Sequence, residues 1–211
     1  MSHRVHVITA VAGALVLAAS ASHAGTITYD FSSVPQGTTV TPTTINGATF
    51  SSPSDPGAFT FGANGGLYST LGSSVLSSAG VPATLDITFS AAQTGLSFDF
   101  AVGDFFAGTG GDSLTLTTNT GLHATALASI PTGSGDFFPQ GSFNLTGAAA
   151  FTSVVITAND TNGVGDEPLV VADMTSTPSP VPLPGAALLL LSGLGGAAGV
   201  LHRRRATGIA V

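Results

Sequence analysis

The residue best placed to act as a nucleophile is Ser113, which lies in a Gly-Asp-Ser-Leu string. Such a serine needs a histidine base that is oriented by a carboxylate. His123 is the only histidine between residues 25 and 180, and that stretch holds no Lys, Arg or Cys and only one Glu. The string also leads directly into alternating apolar and polar residues, which is typical of a turn before a strand. We therefore predict no catalytic residues and retain a secreted hydrolase only as an alternative.

Oxygen ligands are concentrated in residues 159–167, where Asp160, Asn162 and Asp166 lie among glycines. Calcium takes six to eight oxygen ligands and needs neither Cys nor His. The segment is not an EF-hand, because the twelfth position counted from Asp160 is Val171 rather than Glu. It is a candidate calcium loop, and solvated turn residues are the alternative reading.

A second calcium candidate joins the two ends of the domain. Asp30 and Asp173 would meet if the first and last strands pair, as commonly happens in jelly rolls. Because the domain has no cation of its own, its carboxylates need solvent, backbone N–H groups or a bound ion. Ca²⁺ is therefore the one cofactor that we consider.

A short string with two adjacent phenylalanines occurs twice, thirty-two residues apart. Phe105 and Phe106 form the first pair, and Phe137 and Phe138 the second, each in a Gly-flanked loop. Adjacent residues of a strand point to opposite faces, so two neighbouring rings cannot both enter one core. The two loops are candidate partner-contact surfaces, and burial of one ring with the other covering the end of the domain is the alternative.

The charges are unevenly distributed along the 211 residues. The chain has no Lys, and its four arginines are Arg4 and residues 203–205, whereas all eleven acids lie between Asp30 and Asp173. The formal charge of −7 therefore averages two basic ends and a middle of −11. This excludes a nucleic-acid-binding protein, which needs a basic face, and the absence of Cys excludes disulfides and thiolate chemistry.

Residues 1–24 have the order of a secretory signal. Arg4 lies in a short polar region, an apolar run extends from Val7 to Ala19, and small residues precede a predicted cut between Ala24 and Gly25. The apolar run is too short for a comfortable membrane span, so we expect signal peptidase to remove the segment.

The other end carries a second membrane-directed signal. Prolines at alternate positions from 178 to 184 give an extended lead-in, and residues 185–201 carry no charge. A helix of that length reaches about 25 Å, just short of a hydrocarbon core. Arg203, Arg204 and Arg205 then stop transfer, and because basic flanks stay cytoplasmic the middle of the chain is expected outside the inner membrane.

The order of Val181-Pro182-Leu183-Pro184, a short apolar helix and an arginine triplet resembles a PEP-CTERM sorting tail, and more narrowly its VPLPA-type variant. The sequence departs from that pattern by lacking Pro-Glu-Pro and by placing Gly185 before Ala186. The resemblance covers only about 25 residues. It implies cleavage by an exosortase near residues 181–184, a Gram-negative host that makes exopolysaccharide, and delivery to the cell surface or extracellular matrix.

The exported middle has the pattern of an all-β domain. Strands are predicted where apolar and polar residues alternate, at 84–89 and 96–100 and over shorter runs at 114–116, 143–145 and 154–156. Gly and Pro residues occur throughout the chain. Weaker strands are predicted at 26–31, 47–51, 58–62, 121–130 and 168–175. About ten short strands indicate an antiparallel β-sandwich or jelly roll, with Asp86 and Asp99 facing outward.

The predicted organisation is a signal peptide at 1–24, a β-sandwich at 25–177, a Pro-rich linker with the sorting motif at 178–184, a membrane helix at 185–201 and a basic tail at 202–211. The expected function is that of a non-catalytic surface or matrix protein, associated with exopolysaccharide or biofilm and transiently with the inner membrane. A calcium-dependent carbohydrate-binding module is the main alternative. Ice binding by a Thr-rich sheet is another, but the sequence shows no regular Thr-x-Thr ladder.

Overall fold

Apolar and polar residues alternate along several strands of this protein, so each of these strands has one apolar face. In the computed structural model, which describes residues 25–78, 84–102, 112–136, 138–159 and 168–180, Leu85, Ile87 and Phe89 are buried while the residues between them are not. Leu114 with Leu116 and Val154 with Ile156 repeat the pattern. One face of each strand therefore enters a common core and the other meets solvent.

The described residues contain eleven strands and one short 3-10 helix, Phe31–Ser33. The strands are β1 Ile27–Thr28, β2 Thr43–Ile45, β3 Ala48–Ser51, β4 Phe59–Ala63, β5 Ser74–Ser78, β6 Thr84–Val102, β7 Ser113–Thr118, β8 His123–Leu127, β9 Gln140–Leu145, β10 Phe151–Asn159 and β11 Leu169–Pro178. Every pairing between them is antiparallel. The predicted all-β antiparallel class is confirmed for this part of the chain.

The two strands predicted at 84–89 and 96–100 are a single strand, and this corrects the prediction. The first half of β6 pairs with β3 and β10, whereas its second half pairs with β9 and β11. One layer therefore runs β2-β3-β6-β10-β7-β8 and the other β4-β5-β11-β6-β9, with β6 common to both. Phenylalanines and aliphatic residues of both layers form one continuous core, as in a β-sandwich.

Two other strands were not predicted, for physical reasons visible in the structure. Val75 and Leu76 are adjacent and both buried, because each face of β5 is covered: Leu76 enters the main core and Val75 a second, smaller cluster. Strand β2 has only three residues, two of them Thr. The strand predicted at 26–31 is also shorter, since Asp30 caps the 3-10 helix and ends the extended run.

No helix in the described part of the chain is long and apolar enough to cross a membrane. The segments predicted as signal peptide, membrane helix and basic tail lie outside the described residues. The residues from Ala24 to Ser179 form one compact unit.

Close packing between β9 and its neighbours leads to a testable prediction. A Cβ atom on Gly141 would lie 2.8 Å from the Leu127 carbonyl oxygen and 2.8 Å from Cζ of Phe100. Gly141→Ala should therefore destabilise the fold by about 1–3 kcal/mol, the usual cost of overpacking a core. Chemical denaturation monitored by circular dichroism measures the difference.

Gly62→Ala is the matched control, because Gly62 is also in a strand and has no atom within 4 Å of the added Cβ. Its stability should stay level or rise slightly. Equal stabilities of the two variants would contradict the packing described here.

Candidate functional site

A polar pocket lies where the first and last strands meet. Ile27 pairs with Ser176, and the Tyr29 N–H donates to the Met174 carbonyl at 2.9 Å. The pairing on which the second calcium candidate depended is therefore present, and Asp30 and Asp173 line one pocket of about 160 Å³. The other lining residues are Thr28, Tyr29, Phe31, Ser32, Ser73 and Ser74.

Each carboxylate in this pocket already accepts hydrogen bonds from the chain. One oxygen of Asp30 accepts from the Ser32 N–H at 2.9 Å and the Ser32 hydroxyl at 2.6 Å, and these bonds lower the pKa of the Asp30 carboxyl. Asp173 Oδ2 accepts from the Gly72 N–H at 2.7 Å. A Cβ on Gly72 would lie 2.5 Å from Asp173 Oδ1, so only glycine permits this approach.

Among the residues that the structure describes, no three His, Cys, Asp or Glu side chains are grouped closely enough to hold a metal ion. The pocket brings together two carboxylates and several serine hydroxyls, which are oxygen ligands of the kind that calcium accepts. Asp160, Asn162 and Asp166 lie outside the described residues. Calcium binding stays a prediction for both candidate sites.

The Ser113 and His123 side chains do not form a catalytic pair. They lie on neighbouring strands of the β7–β8 hairpin, where Ser113 pairs with Leu127 and His123 pairs with Thr117. Four residues of strand separate the two positions, which is about 13 Å along the sheet. The His123 ring instead shares a hydrogen bond of 2.9 Å with the Thr117 hydroxyl, and Ser113 is buried.

An interaction centred on Asp136 was not found by sequence reasoning. Asp136 Oδ2 accepts from the Ser69 N–H at 3.3 Å, from the Ser69 hydroxyl and from the Gln140 amide at 2.9 Å. The side-chain oxygen Oε1 of Gln140 in turn accepts from the N–H and hydroxyl of Thr70. These hydrogen bonds lower the pKa of the Asp136 carboxyl, and the bond from the Ser69 hydroxyl has the largest effect. Ser69 is 67 residues from Asp136 in sequence, so no local pattern could have shown that contact.

Of the four phenylalanines in the candidate partner-contact loops, the structure describes Phe138. Its ring is half-buried against Tyr68, with centroids 5.4 Å apart. It packs there on the smaller apolar cluster that covers the outside of β5, β6 and β11. Phe105, Phe106 and Phe137 lie outside the described residues, and partner contact by these loops stays a prediction.

The outward face of the first layer is rich in hydroxyl groups arranged in rows across the strands. One row contains Thr44, Thr49, Thr88 and Ser153, and another Thr84, Thr157, Thr115 and Thr125. Neighbouring strands lie about 4.8 Å apart, so each row is a line of closely spaced hydroxyls. The row between them carries Asp86, Val155 and His123, which interrupts the array.

Exposed aromatic rings are absent from the part of the chain that the structure describes. The exposed large apolar side chains there are aliphatic: Leu67, Leu122, Leu127, Ile130 and Val155. Tyr29 and Tyr68 are both buried, and burial raises the pKa of each phenol. The described surface therefore presents hydroxyls, amides, carboxylates and these aliphatic side chains rather than aromatic rings.

The residues assigned to processing fall mostly outside the described part of the chain. Gly25, the first residue after the predicted signal cut, is described and exposed, whereas Ala24 is not described. The sorting motif Val181 to Pro184 and the arginines 203–205 are not described either, and their roles stay predictions.

Comparison with known proteins does not place the chain in a family. No protein-family model and no curated protein matches it. Among solved structures, it is similar to the K2 cleaved adhesin domain of Lys-gingipain, with 16% identity, a TM-score of 0.46, and coverage of 73% of this chain and 98% of that one. It is also similar to the K1 cleaved adhesin domain of Lys-gingipain from Porphyromonas gingivalis W83, with 10% identity, a TM-score of 0.44 and coverage of 74% and 99%.

A mutant of a family 29 carbohydrate binding module is similar at 12% identity and a TM-score of 0.41, with coverage of 76% of this chain and 99% of that one. At such TM-scores and identities these likenesses assign neither a fold family nor a function to this chain.

The Asp136 hydrogen bonds predict a pH-dependent contribution to stability. Because they hold the pKa of this carboxyl below its usual value of 3.8, the stabilisation is present above that value and is lost as the pH falls through the lowered pKa. Asp136→Asn should lower the melting temperature at neutral pH, and the difference from the unmodified chain should shrink in acid. Thermal melts at a series of pH values measure this.

Asp55→Asn serves as the control, since Asp55 is an exposed carboxylate on another loop. A difference for Asp136→Asn that stays constant down to the most acidic sample would show that the charge of Asp136 does not contribute.

Proposed function

We propose that this chain is an exported, non-catalytic β-sandwich protein that an exosortase cleaves through a PEP-CTERM-like tail and that is retained at the cell surface or in the exopolysaccharide matrix. The observation that carries the proposal is the agreement between the folded unit and the predicted processing sites. The compact unit extends from Ala24 to Ser179. The predicted cuts, after Ala24 and near residues 181–184, fall at its two limits and would release it whole.

A non-catalytic role is supported by the chemistry of the described surface. Ser113 and His123 are held apart by the register of β7 and β8. The domain has no Lys, Arg or Cys that could act as an alternative nucleophile, base or electrostatic catalyst. Its exposed hydroxyl rows suit hydrogen bonding to water and to the hydroxyl groups of a hydrated polysaccharide.

Intact-mass analysis of the native surface or secreted protein tests the proposal. The expected mass corresponds to residues 25 to about 181–184, plus any attached glycan. Because that product contains no Lys or Arg, trypsin should leave its mass unchanged. Signal peptidase and exosortase would then be its processing partners, acting on a precursor anchored in the inner membrane.

The precursor itself is the control for this experiment. It carries all four arginines, so trypsin should shorten it. Recovery of a mature product that still contains Arg203, Arg204 and Arg205 would overturn the sorting model.

A calcium-dependent carbohydrate-binding module is the second candidate function. The observation that favours it is the pocket shared by Asp30 and Asp173, whose serine hydroxyls and carboxylates could hold both an ion and a sugar. The proposal commits to oxygen ligands alone, since Cys is absent from the chain and the pocket contains no His.

Calcium titration of the metal-stripped protein tests this candidate. An ion that binds only the folded state stabilises it, by about 2.7 kcal/mol when the free ion is at a hundredfold excess over Kd. The melting temperature should therefore rise with calcium, and this rise should disappear in the double variant Asp30→Asn, Asp173→Asn. Asp55→Asn should keep the response. A melting temperature that calcium does not change would reject the site.

A further inference from the structure

Glycine occurs at three positions within the described strands, and the neighbouring chain explains two of them. A Cβ on Gly141 would lie 2.8 Å from the Leu127 carbonyl oxygen, and a Cβ on Gly95 would lie 3.1 Å from the Leu145 carbonyl oxygen. At Gly62, in β4, an added Cβ would meet no atom within 4 Å. The φ of Gly62 is not left-handed, and β4 pairs with β5 without a register shift. Close approach of a ligand is the remaining reason for a glycine inside a strand.

The space above Gly62 is a pocket of about 270 Å³ on the outer side of β4 and β5. Its floor consists of outward-facing residues of these paired strands: Thr60 and Gly62 of β4, and Val75 and Ser77 of β5. The pocket shares no lining residue with the one that contains Asp30 and Asp173. It is therefore a separate candidate site.

The wall of this pocket is a loop that hydrogen bonds hold in place. The Asn64 side chain donates to the Tyr68 carbonyl at 2.8 Å and to the Leu71 carbonyl at 2.9 Å, and it accepts from the Tyr68 N–H at 3.0 Å. The Tyr68 ring packs on Phe138. Leu67, on the same loop, lines the pocket and is 58% exposed. A wall that is ordered in advance spares a ligand the entropy cost of ordering a loop.

The hydroxyl of Tyr68 has no hydrogen-bond partner among the described residues, although the side chain is only 8% exposed. A buried tyrosine hydroxyl usually has one. Tyr29 shows the usual arrangement, since its hydroxyl shares a hydrogen bond of 2.6 Å with Ser176 Oγ. Burial raises the pKa of both phenols, and only at Tyr29 does a side-chain hydrogen bond oppose that rise. Tyr68 therefore brings an unused donor and acceptor to the pocket that it lines.

The lining of the pocket combines apolar groups with hydroxyls and includes no charged side chain. Leu67 and Val75 are apolar, and the hydroxyls belong to Thr60, Ser77 and Tyr68. A charged ligand would lose hydration here without meeting an opposite charge, and a hydrocarbon chain would leave the hydroxyls unpaired. A neutral sugar ring matches both parts of the lining, because its C–H groups are apolar and its rim carries hydroxyls. The volume lies just below that of pockets for drug-sized ligands, which suits a single ring.

We propose that this pocket, which we name the Gly62 pocket, binds one neutral pyranose ring of a polysaccharide without a metal ion. The ring lies over Gly62, and its hydroxyls bond to those of Tyr68, Thr60 and Ser77. The inference deepens the proposed retention in an exopolysaccharide matrix, and it rests on that function for the choice of a polysaccharide as the source of the sugar.

Saturation-transfer NMR tests the proposal on the full chain, kept in a detergent that has no sugar headgroup. The probes are the methyl pyranosides of glucose, galactose and mannose, titrated to about 20 mM because a single ring is expected to bind in the millimolar range. Methyl glucuronide is the charged control. At least one neutral glycoside should give a saturable signal that EDTA leaves unchanged, and methyl glucuronide should give none.

The absence of a saturable signal from all three neutral glycosides would overturn the site. An equally strong signal from methyl glucuronide would overturn the assignment of a neutral ligand, and loss of the signal in EDTA would overturn binding without a metal ion.

Two substitutions separate sugar binding from folding. Tyr68→Phe removes only the hydroxyl that has no partner in the chain, and Gly62→Val fills the pocket with a residue that suits a strand. Each should leave the melting temperature unchanged and weaken glycoside binding about fivefold or more. Tyr29→Phe is the matched control: it removes a hydroxyl that is bonded to Ser176, so it should lower the melting temperature and leave binding unchanged.

Equal binding by the unmodified chain, Tyr68→Phe and Gly62→Val would overturn the Gly62 pocket. So would a loss of binding in Tyr29→Phe as large as that in Tyr68→Phe. Either result leaves the sorting function intact, because that function fails separately, through a mature product that still contains the arginines 203–205.

Discussion

Strand β6 is the element on which the rest of the structure depends. Its nineteen residues pair with β3 and β10 in one layer and with β9 and β11 in the other. The change of layer requires a bend near Gln93 and Gly95, where a Cβ on Gly95 would lie 3.1 Å from the Leu145 carbonyl oxygen. The two halves of β6 thereby place their apolar faces in one core and set the register of four neighbouring strands.

The second constraint is the lack of Lys and Arg within the domain, so that four of its described carboxylates accept hydrogen bonds from hydroxyl and amide donors instead. Asp99 accepts from the Ser142 hydroxyl at 2.5 Å, and Asp136 accepts from Ser69 and Gln140. Asp30 uses Ser32, and Asp173 uses the Gly72 N–H. The abundance of Ser and Thr thus has a structural role, since these short side chains donate to carboxylates without adding charge.

These two constraints separate the molecule into regions of different chemistry. The bend of β6, the pairing of β1 with β11 and the turns at Asn46 and Asn119 lie at one end of the domain. The hydroxyl rows cover the outside of one layer, and Tyr68 and Phe138 cover part of the other.

The sequence by itself determined the all-β class, the inward faces of β6, β7 and β10, and the outward positions of Asp86 and Asp99, because period-two alternation reports burial on one side of a strand. Only the tertiary structure decided that 84–102 is one strand, that β5 is buried on both faces, and that Asp136 meets Ser69. It also decided that Asp30 and Asp173 share a pocket while Ser113 and His123 are apart. The physical reason is that alternation says which face of a strand is buried, whereas register and layer say which distant residue lies opposite.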